Sequence, residues 1–365
     1  MDLTIPHVDL DDLYSDDSAR LQRAADALGA GFRQLGLVTI AGHGLDPDEL
    51  DAYYEAFRSF TSLSEETKQK YHRNDIWFQR GWTPPNTEQA VVAAGQPDFK
   101  ECWFAAPETL DTFAQQAWPQ LYAQNIWPTE VPELESRHMQ LGHTLHHIGL
   151  ALLRGCEHHL ALASGTFSAL CEGAAHVTRA LEYLPVSAEQ VAAEVLWGEE
   201  HTDFNLLTVL AGGRFYNPQG HIAPRPDDRA GLYLRTRPTP AHPRGQMVRG
   251  RPPKGHMVAQ VGQQLEILTA GLFQATPHVV KAPAVPQWTR TSVAHFVHVN
   301  AMKTLSPLQQ FASRNGAASY MPPVLAGTYA LKTLVDIALA PPAVLDGLGY
   351  RHYGRLADIR ETGEW

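Results

Sequence analysis

"GEEHTDFNLLTVLAGG" (Gly198–Gly213) joins a polar cluster to an apolar, β-branched run. The portion FNLLTVL, Phe204–Leu210, favours a strand. Read as one strand, the stretch turns His201 and Asp203 to the same face, because successive side chains alternate. An imidazole and a carboxylate side by side at the mouth of a core are either a solvated strand end or two ligands of one metal ion. The pair alone does not choose. With 18 His in the chain, about one His-x-Asp arises by chance, and His7 with Asp9 in "IPHVDLDDL" is such a second occurrence.

The rest of the chain narrows the choice. Its 365 residues are 44% hydrophobic and 19% charged, with a net charge of −10. That is the balance of a globular protein with no electrostatic footprint for nucleic acid or an anionic membrane. The start, "MDLTIPHVDLDDLYSDD", is acidic where a signal peptide is basic and then apolar, and no uncharged run reaches the length of a membrane span. Cys102, Cys156 and Cys171 are too few and too scattered for a disulfide framework. A cytoplasmic enzyme with a small-molecule substrate, and neither nucleic acid nor membrane as partner, is the expectation; the oligomeric state is left open.

Helical spacing runs through Ser18–Gly36, Asp46–Tyr71 and, at greatest length, Pro132–Leu162, where Leu141, Leu145, Ile148, Leu152 and Cys156 make one stripe. His143 and His147 imitate a metalloprotease H-x-x-x-H, but Thr144 stands where that motif needs Glu. Phe78–Phe104 reads as an ordered loop with short strands. From about Thr178 the pattern turns to β: "TRALEYLP", "HTDFNLLTVLAGG", "GLYLRT", "HMVAQVGQQLEIL", "FQATPHVV" and "RTSVAHFVHVN". Short strands between Gly/Pro turns predict a barrel-like sandwich. Phe215–Arg229 is a polar, Pro-rich insertion, expected as a lid or rim, and Gly327–Leu339 is a last helix.

His278 in "FQATPHVV" follows Asp203 by 278 − 203 = 75 residues, on a later strand. Two His and one carboxylate are the donor set of the non-haem Fe(II) facial triad, which leaves the opposite face open for O2 and a chelating co-substrate. If Ala282–Gln287 is a hairpin loop, Arg290 and Ser292 fall within a strand's breadth of His278 and share a face. A guanidinium fork beside a hydroxyl suits the far carboxylate of a dicarboxylic acid chelated at its other end.

With these residues in place, the chain resembles the isopenicillin N synthase-like group of Fe(II)/2-oxoglutarate-dependent oxygenases. The motifs that carry the resemblance run nearly end to end: "IPHVDL", "FRQLGLVTIAGHGL", "RGWTPPNTE", "PDFKECW", "HTDFNLLTVL", "GLYLRT", "VGQQLEILTAGLFQATPHVV" and "RTSVAHFVH". The resemblance implies a mainly β fold with flanking helices: a double-stranded β-helix (jelly roll) core at 176–300, an N-terminal helical region at 1–175 and a C-terminal extension with a helix at 301–365, all one oxygenase domain. It implies His201, Asp203 and His278 as iron ligands, with Arg290 and Ser292 as the 2-oxoglutarate carboxylate site. Tyr183 stands within one residue of a family tyrosine that contacts the co-substrate. Here the chain reads Glu182-Tyr183-Leu184-Pro185, where plant members commonly have Asn-Tyr-Tyr-Pro, and Glu182 is open to a substrate amine. Arg80 in "FQRGWTPP", Phe296 and His298 are further candidates for the substrate pocket, core packing being the alternative for Phe296. His7, Asp9 and His43 match structural positions of the family.

The reading is an Fe(II)/2-oxoglutarate-dependent dioxygenase that activates O2 to oxidise a C–H bond by hydroxylation, desaturation or cyclisation. A small amino acid or secondary metabolite is the expected substrate. The alternative is an isopenicillin N synthase-type oxidase that uses no 2-oxoglutarate and binds its substrate carboxylate at Arg290 and Ser292. A zinc hydrolase with the same ligands would need a general base that these motifs lack.

Overall fold

The computed structural model describes residues 5–88 and 99–345. Part of the Phe78–Phe104 segment and the end of the C-terminal extension therefore lie outside the described residues. The strands of the two main sheets are β1 (His7–Asp9), β2 (Leu37–Ala41), β3 (Gly81–Thr83), β4 (Lys100–Ala105), β5 (Val177–Tyr183), β6 (Leu196–His201), β7 (Leu207–Leu210), β8 (Arg214–Tyr216), β9 (Ile222–Ala223), β10 (Gly231–Arg235), β11 (Met247–Arg249), β12 (Met257–Val261), β13 (His278–Lys281) and β14 (Thr289–Val297). The larger sheet runs β1-β2-β12-β7-β14-β5-β4-β3, with β8 on β14 and β9 on β8; the smaller runs β11-β10-β13-β6. These two sheets form the jelly roll.

The helices follow the apolar stripes. Asp17 caps Ser18–Gln34 by accepting from Ala19 N–H at 2.8 Å, and Ala24, Leu28 and Phe32 are buried. On Glu133–His159, the stripe Leu141, Leu145, Ile148, Leu152 and Cys156 is buried against the larger sheet within one hydrophobic cluster. Each large apolar side chain so buried contributes about 1.5–3 kcal/mol before its ordering cost. Glycine lets this helix approach closely: a Cβ on Gly149 would stand 2.7 Å from Val297 Cγ2.

Four expectations change. The stretch around His201 is not one strand: β6 ends at His201, and β7 begins at Leu207 in the other sheet. Asp203 lies in the crossing between them. Consecutive strands of a jelly roll pass between sheets, and the polar HTD segment spans that gap. "GQQLEIL" is also not strand, since Gln263–Leu268 is a helical turn. It is buried on all sides, which hides the helical period, and its polar groups are bonded: Gln264 Oε1 accepts from Val299 N–H at 2.8 Å and Glu266 Oε2 from Ala275 N–H at 2.8 Å.

Ala282–Gln287 does not close a hairpin. β13 pairs with β10 and β6, whereas β14 pairs with β5, β7 and β8. Arg290 and Ser292 thus face His278 across the barrel interior, not along a ladder. The insertion, finally, forms the β8–β9 hairpin, with Phe215 opposite Arg290. It extends the larger sheet and contributes no side chain to the cavity wall except through its neighbours on β14.

Candidate metal centre

His201 closes β6 and His278 opens β13, and the two are paired across the smaller sheet. Their ring centroids are 4.3 Å apart. Asp203 Oδ1 stands 3.7 Å from His201 Nε2 and 3.9 Å from His278 Nε2. Among the described residues this is the one group of three His, Cys, Asp or Glu side chains whose ligand atoms all lie within 4.8 Å of one another.

Backbone carbonyls orient both rings. His201 Nδ1 lies 2.7 Å from Glu199 O, and His278 Nδ1 lies 3.2 Å from Thr276 O. Each contact places the proton on Nδ1 and leaves Nε2 as the free lone pair. Burial, followed by the neighbouring His278, pushes His201 down to about 4. Burial raises Asp203, but His278, His201 and the donors on its second oxygen outweigh it, so its carboxyl sits below the usual range. Two imidazoles, each presenting Nε2, and one carboxylate, converging on one point, fit a divalent iron with an open face.

That face opens on a cavity of about 260 Å³. Arg290 lies on its wall, with Nη1 3.3 Å from Ser292 Oγ and Cζ 5.2 Å from the Tyr183 ring centroid. No carboxylate pairs with Arg290 among the described residues. A partly buried guanidinium without an anion is suited to receive one from a ligand.

Phe296 and His298, further along β14 and just beyond it, also line the cavity. The His298 ring lies 5.2 Å from Phe204. Burial, then the charge of Arg80, pushes it down to about 3, so it is a neutral hydrogen-bonding group.

Two substrate candidates are elsewhere. Tyr183 and Leu181 face the cavity, so alternation turns Glu182 to the opposite side of β5. There it is bonded to Arg58 and Thr291 Oγ1, and burial pushes it up to about 7. Glu182 is thus a buried acid behind the cavity wall, and not on the lining where a substrate amine would meet it. Arg80 is fully buried and donates to Gln79 O at 2.6 Å and Leu121 O at 3.3 Å; Gln79, not Arg80, reaches the wall.

Three further candidates raised by the sequence have structural partners. His143 bonds Glu108 at 2.7 Å, His43 joins Leu45 N–H to Gly255 O, and Asp9 caps Leu10–Leu13. Sequence reasoning missed Gln260 and Thr208, which hold Asp203, and also Glu88, Lys100, Arg179 and the helix Ala326–Asp336 on the cavity wall. For Gln260 a signal existed: a polar residue inside the apolar run MVAQV needs a buried partner.

The comparisons agree with this geometry. Residues 176–299 match the model of the 2OG-Fe(II) oxygenase superfamily, and residues 5–130 match the N-terminal region of the non-haem dioxygenases in morphine synthesis.

The chain belongs to the 2OG-Fe(II) oxygenase superfamily.

As such it is a non-haem Fe(II)/2-oxoglutarate dioxygenase acting on a small molecule. Validamycin A dioxygenase of Streptomyces hygroscopicus subsp. limoneus is 27% identical over 349 residues, covering 92% of this chain and 87% of that one. The structure of a 2OG-Fe(II) oxygenase family protein from Caulobacter crescentus superposes with a TM-score of 0.72 at 26% identity, over 92% of this chain and 99% of that one. Full-length Neurospora crassa T7H with bound alpha-KG gives 0.74 at 19% identity over 91% and 96%, a likeness of fold. Among the described residues, no helix of this superfamily member is long and apolar enough to cross a membrane.

Proposed function

We propose that His201, Asp203 and His278 hold the iron of this oxygenase. Arg290 and Ser292, flanked by Tyr183, take the distal carboxylate of 2-oxoglutarate. The observation that carries this reading is that the three donor atoms and the acid-free guanidinium open on one cavity. When bound, iron and 2-oxoglutarate supply the activation of O2 and the oxidant for a substrate C–H bond.

The chain's own residues do the positioning. His201 and His278, locked by backbone carbonyls, present Nε2, and Asp203 presents Oδ1. Arg290 forks onto the carboxylate from the opposite sheet. Phe296 and the neutral His298 orient the substrate, and Leu334 of the last helix covers it. A fixed near-attack geometry is the protein's main contribution to such a reaction. Hydroxylation of a small metabolite in the cytoplasm, by one domain built from the N-terminal helices and the jelly roll, is the reading these features support.

The test is O2 consumption and succinate formation with and without 2-oxoglutarate, together with anaerobic Fe(II) titration. His278→Ala should lose iron while remaining folded. Arg290→Lys should keep iron but weaken 2-oxoglutarate at least about tenfold, because breaking one side of a shielded pair costs roughly 2–5 kcal/mol. Turnover without 2-oxoglutarate and without succinate would replace this reading with the oxidase alternative.

A further inference from the structure

The cavity floor carries a second guanidinium. Tyr183 of β5 is paired with Arg290, and Arg179 of the same strand with Ala294. Four residues apart, Arg179 and Tyr183 share a face, and that length of strand spans about 13 Å. Arg290 and Arg179 therefore mark two ends of one floor, and both line the cavity. Phe104 of β4 completes the Arg179 row, its ring centroid 4.8 Å from Arg179 Cζ.

Arg179 is held from one side. Nη2 donates to Glu88 Oε2 at 2.5 Å and to Cys102 Sγ at 3.2 Å, and Nε donates to the same sulfur at 3.3 Å. Nη1 donates to no group among the described residues, yet it is not one of the enclosed, unpartnered atoms of the interior. Glu88 does not belong to Arg179 alone, since Lys100 Nζ stands 3.3 Å from the same oxygen. The Cys102 thiol, raised by burial, contributes no charge. Phe104 packs on the guanidinium, and Phe204, Leu334 and Ile337 are apolar residues of the same cavity's lining.

We propose that Arg179 anchors the substrate through a carboxylate, and that the substrate is a small amphipathic acid whose apolar body lies against Phe104, Phe204 and Ile337. The proposal rests on the iron and 2-oxoglutarate reading above and names the class of substrate for that same site. One open nitrogen edge beside an apolar wall fits a carboxylate better than a phosphate ester, whose three oxygens call for more donors. The arrangement keeps the two acids apart: the co-substrate is drawn to Arg290 and the substrate to Arg179.

The experiment is calorimetric titration of the anaerobic protein loaded with Fe(II) and 2-oxoglutarate. The probes are 3-phenylpropanoate, 4-phenylbutanoate and octanoate, their primary amides, and phenylethyl phosphate. At least one acid should bind, with its amide at least about tenfold weaker, as expected for loss of a charge-assisted partner. Arg179→Gln should lower the acid to the level of the amide while iron stoichiometry and 2-oxoglutarate affinity stay unchanged. Glu88→Gln keeps the guanidinium and removes its competitor, so it should tighten the acid; it also serves if Arg179→Gln does not fold. Binding by none of the acids, equal binding of acid and amide, tighter binding of the phosphate, or no tightening in Glu88→Gln would each overturn the proposal. If the wild-type protein took up neither iron nor 2-oxoglutarate, the functional reading would fail instead. The acid–amide comparison would then be made on the metal-free protein, whose Arg179 wall is intact.

Discussion

Gln260 Nε2 donates to Asp203 Oδ2 at 2.5 Å, and Thr208 Oγ1 donates to that same oxygen at 2.6 Å. With Oδ2 engaged twice, Oδ1 is the oxygen turned toward His201 and His278. Such outer partners fix the orientation of a ligand carboxylate. Gln260→Leu should therefore weaken Fe(II) binding about tenfold or more, the range typical of lost second partners, without unfolding the protein. Thr208→Val should do the same, and the double variant should exceed either. Anaerobic Fe(II) titration reads this directly, and unchanged iron affinity in both single variants would disprove the role.

Buried imidazoles make stability depend on acid. His295 Nδ1 bonds Thr178 Oγ1 at 3.0 Å, His295 Nε2 meets His146 Nδ1 at 3.3 Å, and His138 Nε2 bonds Thr178 O at 3.2 Å. Burial pushes His138 and His146 down to about 4 and holds His176 and His295 well below their ordinary value. The folded state keeps these rings neutral while the unfolded chain protonates near pH 6.5. Stability is then full above about pH 6.5 and declines as pH falls toward 4, by up to about 1.4 kcal/mol per pH unit for each ring. Urea midpoints should be level between pH 7 and 8 and drop clearly at pH 5.5. A midpoint unchanged at pH 5.5 would contradict the assignment.

Glu182 acts in the opposite sense. Its folded value, pushed up to about 7 from about 4.5 by burial, means that stability is retained at low pH and lost as pH rises through 7. Glu182→Gln removes this dependence, so the variant should gain on the wild type by ~3 kcal/mol between pH 5 and pH 8. Iron and 2-oxoglutarate affinities should not change, because Glu182 lies behind the cavity wall. A selective loss of substrate binding in this variant would restore it to the pocket.

Close packing at Gly149 sets the seat of the long helix. A side chain there must displace Val297 Cγ2, 2.7 Å from the position of a Cβ. Gly149→Val should destabilise the protein by about 1–3 kcal/mol through overpacking, read as a lowered denaturant midpoint. An unchanged midpoint would show that the helix can shift outward without cost.

Much of the protein was legible because its signals are local. The stripe Leu141–Cys156 predicts the long helix, and the His-x-Asp pair with a later His names the candidate donors. Both depend only on residue type and spacing. Which sheet a strand joins is not local. β13 and β14 follow one another in sequence yet lie in opposite sheets, so Arg290 reaches the metal side across the barrel. Alternation was enough to set Tyr183 and Glu182 on opposite faces, but only packing against Arg58 decided which face was the interior and which the cavity. Likewise Gln79, Arg179 and Leu334 line one cavity from segments a hundred or more residues apart. The sequence by itself determined the candidate donors and the fold class, because these are written in residue type, spacing and period. The tertiary structure decided who faces the cavity, because that depends on how two twisted sheets and a helix exclude water together.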